Sequence, residues 1–298
     1  MAATAPNKVA FVGLGTMGFP MAGHLQRAGY ATTVFNRTTE KAVNWCAKFG
    51  GRYGSDPADT ATDADVVMVC VGNDDDVRSV VLGDAGVLGT MKAGSTLIDH
   101  TTCSAELARE LGRHCNDRGV AFLDAPVSGG QAGAENGQLT VMVGGDEAAV
   151  GHALPLLEVY AKKVQRMGPV GAGQLTKMVN QICIAGLLQG LSEALHFAEC
   201  SGLDTDAVVA AIGQGAAQSW QMDNRHQTMA RGEFDFGFAV DWMRKDLGIV
   251  LDTAGELGVS LPVTALVDQF YADVQHLGGN RWDTSSLIAR LRRLRGDD

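Results

Sequence analysis

Two stretches of this sequence carry polar side chains at spacings that could do chemistry, and the first includes a lysine. Lys177, Asn180 and Gln181 stand at positions i, i+3 and i+4, so in a helix they share one face. Apolar residues flank all three, which places this face inside the protein, where a lysine is costly without a partner or a function. Acid–base catalysis and an internal salt bridge both meet that condition, and the pattern alone favours neither.

The second stretch, DAPVSGGQAGAENGQLTVMVGG, places a hydroxyl among glycines. Ser128 is followed by Gly129 and Gly130, which have no side chains to shield their backbone N–H groups. N–H groups beside a hydroxyl can hold an anion such as a carboxylate. A plain surface loop has the same composition, so this stretch alone leaves both interpretations open.

The start of the chain indicates the fold that would position these residues. Residues 9–12 are a short apolar run typical of a buried strand, Pro20 suits the first turn of a helix, and residues 32–35 begin a second strand. Glycines between strand and helix fit a tight turn, close approach to a pyrophosphate and close packing of the helix. We predict a dinucleotide-binding loop formed by Gly13, Leu14, Gly15, Thr16, Met17 and Gly18.

The end of the second strand indicates which dinucleotide binds. An NAD site generally has an Asp or Glu there, which accepts hydrogen bonds from the ribose hydroxyls. This chain has Asn36, Arg37 and Thr38, three donors of which one is a cation. An acid would repel a 2′-phosphate and these residues can bind one, so we predict NADP(H) as the preferred cofactor, with NAD(H) possible. The alternative is that Arg37 is only a surface side chain.

Strand and helix signals alternate through the first half of the chain and then give way to helices. Apolar runs at 66–71, 96–98, 121–124, 139–143 and 163–165, separated by helical stretches such as 105–118 and 147–160, predict a doubly wound parallel sheet. Stretches of helix formers follow at 174–200, 203–212, 239–257 and 261–277. We predict an α/β fold: a Rossmann-type domain, residues 1–168, then an all-α C-terminal domain, residues 169–298, joined by a long helix.

Composition and charge limit the classes of protein to which this chain can belong. With 46% hydrophobic and 19% charged residues, the chain reads as a soluble globular protein. No run is long enough to cross a bilayer, and the N-terminal MAATAPNK lacks the apolar core of a signal peptide. A formal net charge of −10 argues against nucleic acid and membrane as partners. The basic RLRRLR near the C-terminus is predicted to be a solvated helix face.

The six cysteines show neither a CxxC pair nor a spacing suited to metal ligands. We therefore predict no metal site, buried thiols, and a reducing, cytoplasmic location.

Five motifs in the same order resemble the β-hydroxyacid dehydrogenase family, which includes 3-hydroxyisobutyrate dehydrogenase, tartronate semialdehyde reductase and glyoxylate/succinic semialdehyde reductases. They are FVGLGTMGFPMAGHLQRAGY, DHTT, DAPVSGG with GQLTVMVGG, GAGQLTKMVNQ and RKDLGIVLD. The resemblance implies an NAD(P)-dependent oxidoreductase that transfers hydride between nicotinamide and a small anionic hydroxy acid or semialdehyde. It also implies a helical domain like that of 6-phosphogluconate dehydrogenase, which builds a homodimer or homotetramer, and a site in the cleft between the domains.

The same resemblance assigns roles to residues of this sequence. Lys177 matches the catalytic lysine, the general acid–base, and Asn180 matches its partner. Ser128 matches a position that serves both catalysis and substrate binding. The remaining substrate-binding positions are Gly129, Gly130 and Gln181, and the further cofactor-contacting positions are Val71, Gly72, Thr102 and Lys245.

Two of these positions depart from the pattern of the family. Many relatives have Leu-Pro where this chain has Val71 and Gly72, and others have a second Asn in place of Gln181. The family pattern therefore does not define the shape of that cofactor loop, and both variants keep a backbone lining or hydrogen-bonding capacity.

Two other functions share features with this pattern. Imine reductases resemble the fold and commonly replace the lysine, and non-catalytic interaction proteins of this type tend to lose it, whereas this chain keeps Lys177. Substrate identity does not follow from the sequence. Candidates to line the far wall of the site, or else to pack a helix junction, are Ser219, Trp220, Asn224 and Arg225.

Overall fold

A computed structural model describes residues 7–296. Residues 1–6, 297 and 298 lie outside the described residues. Residues 1–6 are most of the N-terminal segment for which we predicted no signal peptide. The chain forms two compact units, Met1–Lys177 and Met178–Asp298. The division falls inside one long helix.

The first unit is built on a sheet of nine strands among the described residues. They are β1 (Lys8–Val12), β2 (Ala31–Phe35), β3 (Arg52–Tyr53), β4 (Val66–Val69), β5 (Thr96–Asp99), β6 (Ala121–Asp124), β7 (Val127–Ser128), β8 (Leu139–Gly144) and β9 (Ala161–Gly168). Their order is β3-β2-β1-β4-β5-β6-β8-β7, with β9 also paired to β8. Strands β1 to β6 are all parallel, so their carboxyl ends meet at one edge, as predicted.

Helices cover this sheet on both faces. Along β1, Val9 and Phe11 belong to one buried cluster, whereas Ala10 and Val12 belong to another. Because successive side chains of a strand point to opposite faces, the two clusters lie on opposite sides of the sheet, which is the doubly wound arrangement. The helices are α1 (Gly18–Arg27), α2 (Thr39–Phe49), α3 (Pro57–Ala61), α4 (Asp74–Leu82), α5 (Ala105–Asn116), α6 (Gly130–Glu135) and α7 (Glu147–Leu157).

The sheet differs from the prediction in several details, and the short strands β3 and β7 were not predicted. Strand β8 runs antiparallel to β6 and β7 and does not continue the parallel series. The chain between β6 and β8 doubles back through β7 and the six-residue α6, so no full crossover helix forms. Strand β4 ends at Val69, not at residue 71, because the Val71 N–H donates to the Thr101 hydroxyl at 3.0 Å.

Among its described residues the second unit is built of helices and loops, as predicted, with one isolated β-bridge between Ala239 and Asp283. Its helices are the second part of α8 (Ala172–Cys200), then α9 (Thr205–Ile212), α10 (Trp220–Arg231), α11 (Val240–Leu257), α12 (Pro262–His276) and α13 (Leu287–Arg295). The basic RLRRLR segment lies on α13, but it is not simply solvated, because Arg290 pairs with Asp273 and Arg292 pairs with Glu199. None of the helices in residues 7–296 is long and apolar enough to span a membrane.

The prediction of buried thiols is correct for some cysteines and wrong for others. Cys103 and Cys115 are buried, whereas Cys183 and Cys200 lie on the exposed face of α8. Helical stretches of apolar residues suggested burial, but α8 buries only part of its circumference. Within residues 7–296, no three His, Cys, Asp or Glu side chains are grouped so that they could hold a metal ion.

Two adjacent buried residues with opposite pKa shifts close β5. Burial raises the pKa of Asp99 to about 6, although its carboxylate accepts the Thr101 N–H. Burial lowers the pKa of His100 to about 4, so the ring is neutral near pH 7. Its Nδ1 lies 2.6 Å from the Ala125 carbonyl and must carry the proton, because a carbonyl only accepts. The Tyr160 hydroxyl then donates to Nε2, at 2.9 Å.

These two shifts act on stability in opposite directions. The lowered pKa of His100 gives stability that is complete above pH 6.5 and is lost as the pH falls towards 4. The raised pKa of Asp99 has the reverse effect, because stability is lost as the pH rises from 3.8 towards 6. Each contribution amounts to about 3 kcal/mol, so the two nearly cancel.

Replacing the histidine should isolate its own contribution, because Asp99 is present in both proteins and cancels in the comparison. His100→Gln can still donate to Ala125 and accept from Tyr160, but it does not titrate. We expect its free energy of unfolding, relative to the native protein, to rise by about 3 kcal/mol as the pH falls from about 6.5 to about 4. Urea unfolding across this range measures it, with the exposed His114→Gln as control. A difference that is independent of pH would contradict the assignment.

Candidate active site

The loop between β1 and α1 has the geometry of a dinucleotide cradle. Gly13 has a φ of +100°, and a Cβ there would lie 2.1 Å from the Cys70 carbonyl oxygen. A Cβ on Gly18 would lie 2.0 Å from the Gly13 oxygen, whereas a Cβ on Gly15 would meet nothing within 4 Å. Gly13 and Gly18 therefore make the turn and the close packing, and Gly15 faces open space that a pyrophosphate can enter. Leu14 is buried, Met17 is half-buried and Thr16 is exposed.

The residues after β2 divide into one that supports the loop and two that face solvent. The Asn36 amide accepts the Leu14 N–H at 2.9 Å and donates to the Thr38 carbonyl at 3.1 Å. Thr38 directly precedes α2 as its N-cap residue but makes no side-chain cap, so its hydroxyl does not serve the helix. The Arg37 side chain is 90% exposed, and its Nη1 lies 3.5 Å from Asp76 Oδ1. Arg37, Thr38 and the first turn of α2 thus form one corner that can receive an anion.

The predicted cofactor positions after β4 and β5 are joined by side chains. Val71 is bound to Thr101, as above, and Gly72 follows it, half-buried. Gln174 donates from Nε2 to the Thr101 carbonyl at 2.7 Å and accepts the Cys103 N–H at 3.2 Å. These two bonds bracket Thr102. Sequence reasoning missed Gln174, although it lies three residues before the lysine on the same helical face.

The predicted anion-binding serine lies on a short strand. Ser128 ends β7 opposite Thr140 of β8 and is half-buried. Gly129 and Gly130 follow with φ of +134° and +62°, a region that favours glycine, and both are exposed. The serine therefore stands where a regular strand gives way to accessible backbone.

The lysine of the predicted trio is buried beside this same strand. Lys177 is 8% exposed, and its Nζ donates to the Val127 carbonyl at 3.0 Å. Its helix is fixed by Asp124, whose carboxylate accepts the N–H groups of Gly171 at 2.7 Å and Gln174 at 2.9 Å. Burial raises the pKa of Asp124, while these backbone bonds act against the rise. Asp124 begins the segment that leads to the serine, so one residue ties both to the sheet.

The predicted residues of the second unit form a separate chain of polar contacts. Asn180 donates to the Gln181 side chain at 2.8 Å, and Gln181 donates to Asp246 Oδ2 at 2.7 Å. Lys245 Nζ lies 3.0 Å from Asp246 Oδ1. Sequence reasoning did not single out Asp246, and the available signal was an acid next to the predicted lysine within RKDLGIVLD.

The candidate residues for the substrate wall pack the start of α10. Ser219 caps this helix by accepting the Met222 N–H at 3.1 Å. Arg225 lies 3.4 Å from Asp283, and its guanidinium stacks 5.0 Å from the centre of the Trp220 ring. Asn224 donates to the Trp220 carbonyl at 2.9 Å. The packing of a helix junction therefore accounts for these side chains.

Two family models together match nearly the whole chain. The first describes the NAD-binding domain of 6-phosphogluconate dehydrogenase and matches residues 8–168. The second is described as NAD-binding of NADP-dependent 3-hydroxyisobutyrate dehydrogenase and matches residues 171–291.

Similar proteins span the full chain. An uncharacterized oxidoreductase of Shewanella frigidimarina is 60% identical, over 97% of this chain and 99% of that one. Probable 3-hydroxyisobutyrate dehydrogenase-like 1 of Arabidopsis thaliana, a mitochondrial protein, is 40% identical over 97% and 86%. The structure of Mycobacterium tuberculosis 3-hydroxyisobutyrate dehydrogenase with L-serine is 30% identical over 97% and 100%, with a TM-score of 0.87. The chain therefore belongs to the β-hydroxyacid dehydrogenase family of NAD(P)-dependent oxidoreductases.

Proposed function

We propose that this protein is an NADP(H)-preferring enzyme that interconverts a small anionic semialdehyde and the corresponding β-hydroxy acid, with Lys177 as general acid–base. One observation carries the proposal. The buried Lys177 ammonium is held on the Val127 carbonyl, directly before Ser128 and the accessible glycines. A proton donor and an anion-binding segment are thus fixed to the same short strand.

The substrate class follows from what this segment can bind. The Ser128 hydroxyl and the N–H groups of Gly129 and Gly130 suit a carboxylate. The relative from M. tuberculosis was solved with L-serine, a small β-hydroxy acid, which supports this class. Substrate carboxylate binding at Ser128 would leave the reacting carbon and its oxygen facing the lysine.

The residues of this chain supply proton transfer and orientation. A nicotinamide dinucleotide held at the glycine loop would supply or accept the hydride. In reduction, Lys177 gives a proton to the carbonyl oxygen while the carbonyl carbon gains hydride, which yields the alcohol. In oxidation, the neutral lysine takes the hydroxyl proton. The Val127 carbonyl aims the amine, and Asn180, one turn further along the helix, orients the substrate oxygen. Acid–base help of this kind contributes about 10²- to 10⁴-fold to the rate.

Support for NADP(H) comes from the corner at Arg37. The guanidinium, the Thr38 hydroxyl and the N-terminus of α2 all favour an anion, such as a 2′-phosphate. The description of the second family model as NADP-dependent agrees with this. Asn36, in contrast, acts through the loop, because Leu14 and Thr38 already engage its amide.

We also propose a role for each domain and an oligomeric state. Residues 1–168 would bind the cofactor, and residues 169–298 would complete the substrate site and form a cytoplasmic homodimer or homotetramer. Helix α8 supports such an interface, because it exposes Val179, Leu187 and Phe197, the last by 71%.

Removing the lysine amine should abolish chemistry without loss of cofactor binding. We expect Lys177→Ala to lower kcat by about 10²- to 10⁴-fold and to leave the Kd of NADPH within about two-fold. Turnover is followed by NADPH absorbance with glyoxylate, succinic semialdehyde, methylmalonate semialdehyde and tartronate semialdehyde, and the exposed Lys163→Ala of β9 is the control. Near-native turnover in Lys177→Ala would refute the assignment. NADPH binding with no turnover of any aldehyde by the native protein would favour an interaction protein.

Reversing the charge at the cofactor corner should change the cofactor. In Arg37→Asp the new carboxylate repels a 2′-phosphate and can accept from the ribose hydroxyls. We expect the ratio of kcat/KM for NADPH over NADH to fall by at least about ten-fold, which is about 1.4 kcal/mol. Arg113→Asp, an exposed position on α5, controls for the change in net charge. An unchanged ratio would reject the specificity argument.

A further inference from the structure

Helix α4 begins with three consecutive aspartates, and each has a different partner. Asp74 accepts the Ser104 N–H at 3.0 Å and the Ser104 hydroxyl at 2.5 Å. Asp75 lies 3.8 Å from Arg78 of its own helix. Asp76 lies 3.5 Å from Arg37, which comes from the far end of β2. The first acid therefore secures the start of α5, the second stays within α4, and the third reaches the cofactor corner.

The position of Asp76 changes how the specificity of this corner is understood. The sequence has no acid at the end of β2, which is the usual sign of an NADP site. The fold nevertheless brings an acid to this place from α4, 39 positions further along the chain. The first turn of α4, which carries Asp76, is fixed because the Asp76 backbone N–H donates to the Asn73 side chain at 2.8 Å. The Asp76 side chain is only 33% exposed.

The arginine, in contrast, is free to change partners. Its side chain is 90% exposed, and its contact with Asp76 is longer than a close ion pair. Exposed pairs of this kind are weak, so a more highly charged anion can displace the carboxylate.

We propose that Asp76 is a specificity-determining residue, which competes with the 2′-phosphate of NADP(H) for Arg37 and so limits the preference over NAD(H). This inference rests on the proposed function, which places the 2′-phosphate at Arg37. The phosphate must displace the carboxylate from the guanidinium and then bind beside a like charge. NAD(H) lacks the 2′-phosphate. The pair between Arg37 and Asp76 therefore persists when NAD(H) binds, and no displacement is needed.

Neutralising this one acid should sharpen the preference for NADP. We expect Asp76→Asn to raise the affinity ratio, the Kd of NAD⁺ over the Kd of NADP⁺, by about two- to ten-fold, mainly through tighter NADP⁺ binding. Calorimetric titration of each dinucleotide measures the ratio without a substrate. Asp75→Asn is the matched control, because it removes the same charge from the same helical turn, and its ratio should stay at the native value.

If Asp76 competes for Arg37 and does not simply repel the 2′-phosphate, the effect of Asp76→Asn on the affinity ratio should depend on Arg37. In an Arg37→Ala background, Asp76→Asn should change the affinity ratio much less than in the native background. An unchanged or lowered ratio in Asp76→Asn, an equal rise in Asp75→Asn, or an undiminished rise in the Arg37→Ala background would each overturn the proposal. A native protein that prefers NAD⁺ would refute the proposed cofactor, whereas the shift caused by Asp76→Asn would still test the competition.

Discussion

The rest of the proposed site depends on the hydrogen bonds between the Asp124 carboxylate and the start of α8. A negative charge at a helix N-terminus is favourable, and here two backbone N–H groups satisfy it inside the protein. Gly173 permits the approach, because a Cβ there would lie 2.6 Å from the Asp124 carbonyl oxygen. The same residue starts the segment that carries Ser128. One buried carboxylate therefore sets the helix of Lys177 and the strand of the serine relative to each other.

Local sequence pattern predicted the parts of this arrangement that depend on neighbours along the chain. The glycine loop follows from backbone requirements, since only glycine tolerates the φ of Gly13 and its approach to Cys70. The face that contains Lys177 follows from helical periodicity, and the parallel strands follow from apolar runs separated by helices. These features need no knowledge of which distant segments meet.

Several features that the sequence did not predict depend on which elements of the fold contact each other. The reversal at β8 depends on pairing with β7, and Gln174 brackets Thr102 from another element. The proximity of Asp76 to Arg37 is of the same kind, and it qualifies a specificity rule that considers only the end of β2. Periodicity gives the face of an element but not its contact partner, so such residues emerge only from the fold.

If Asp124 positions Lys177 for proton transfer, loss of the Asp124 charge should slow the reaction, and the rate of hydride transfer in a single turnover of Asp124→Asn measures this effect. Asparagine keeps the shape and one acceptor oxygen but loses the charge and one of the two bonds to α8. We expect a folded protein that binds NADPH within about two-fold of native, because the glycine loop is intact, and that transfers hydride at least about ten-fold more slowly. A folded Asp124→Asn protein with the native rate of hydride transfer would contradict it.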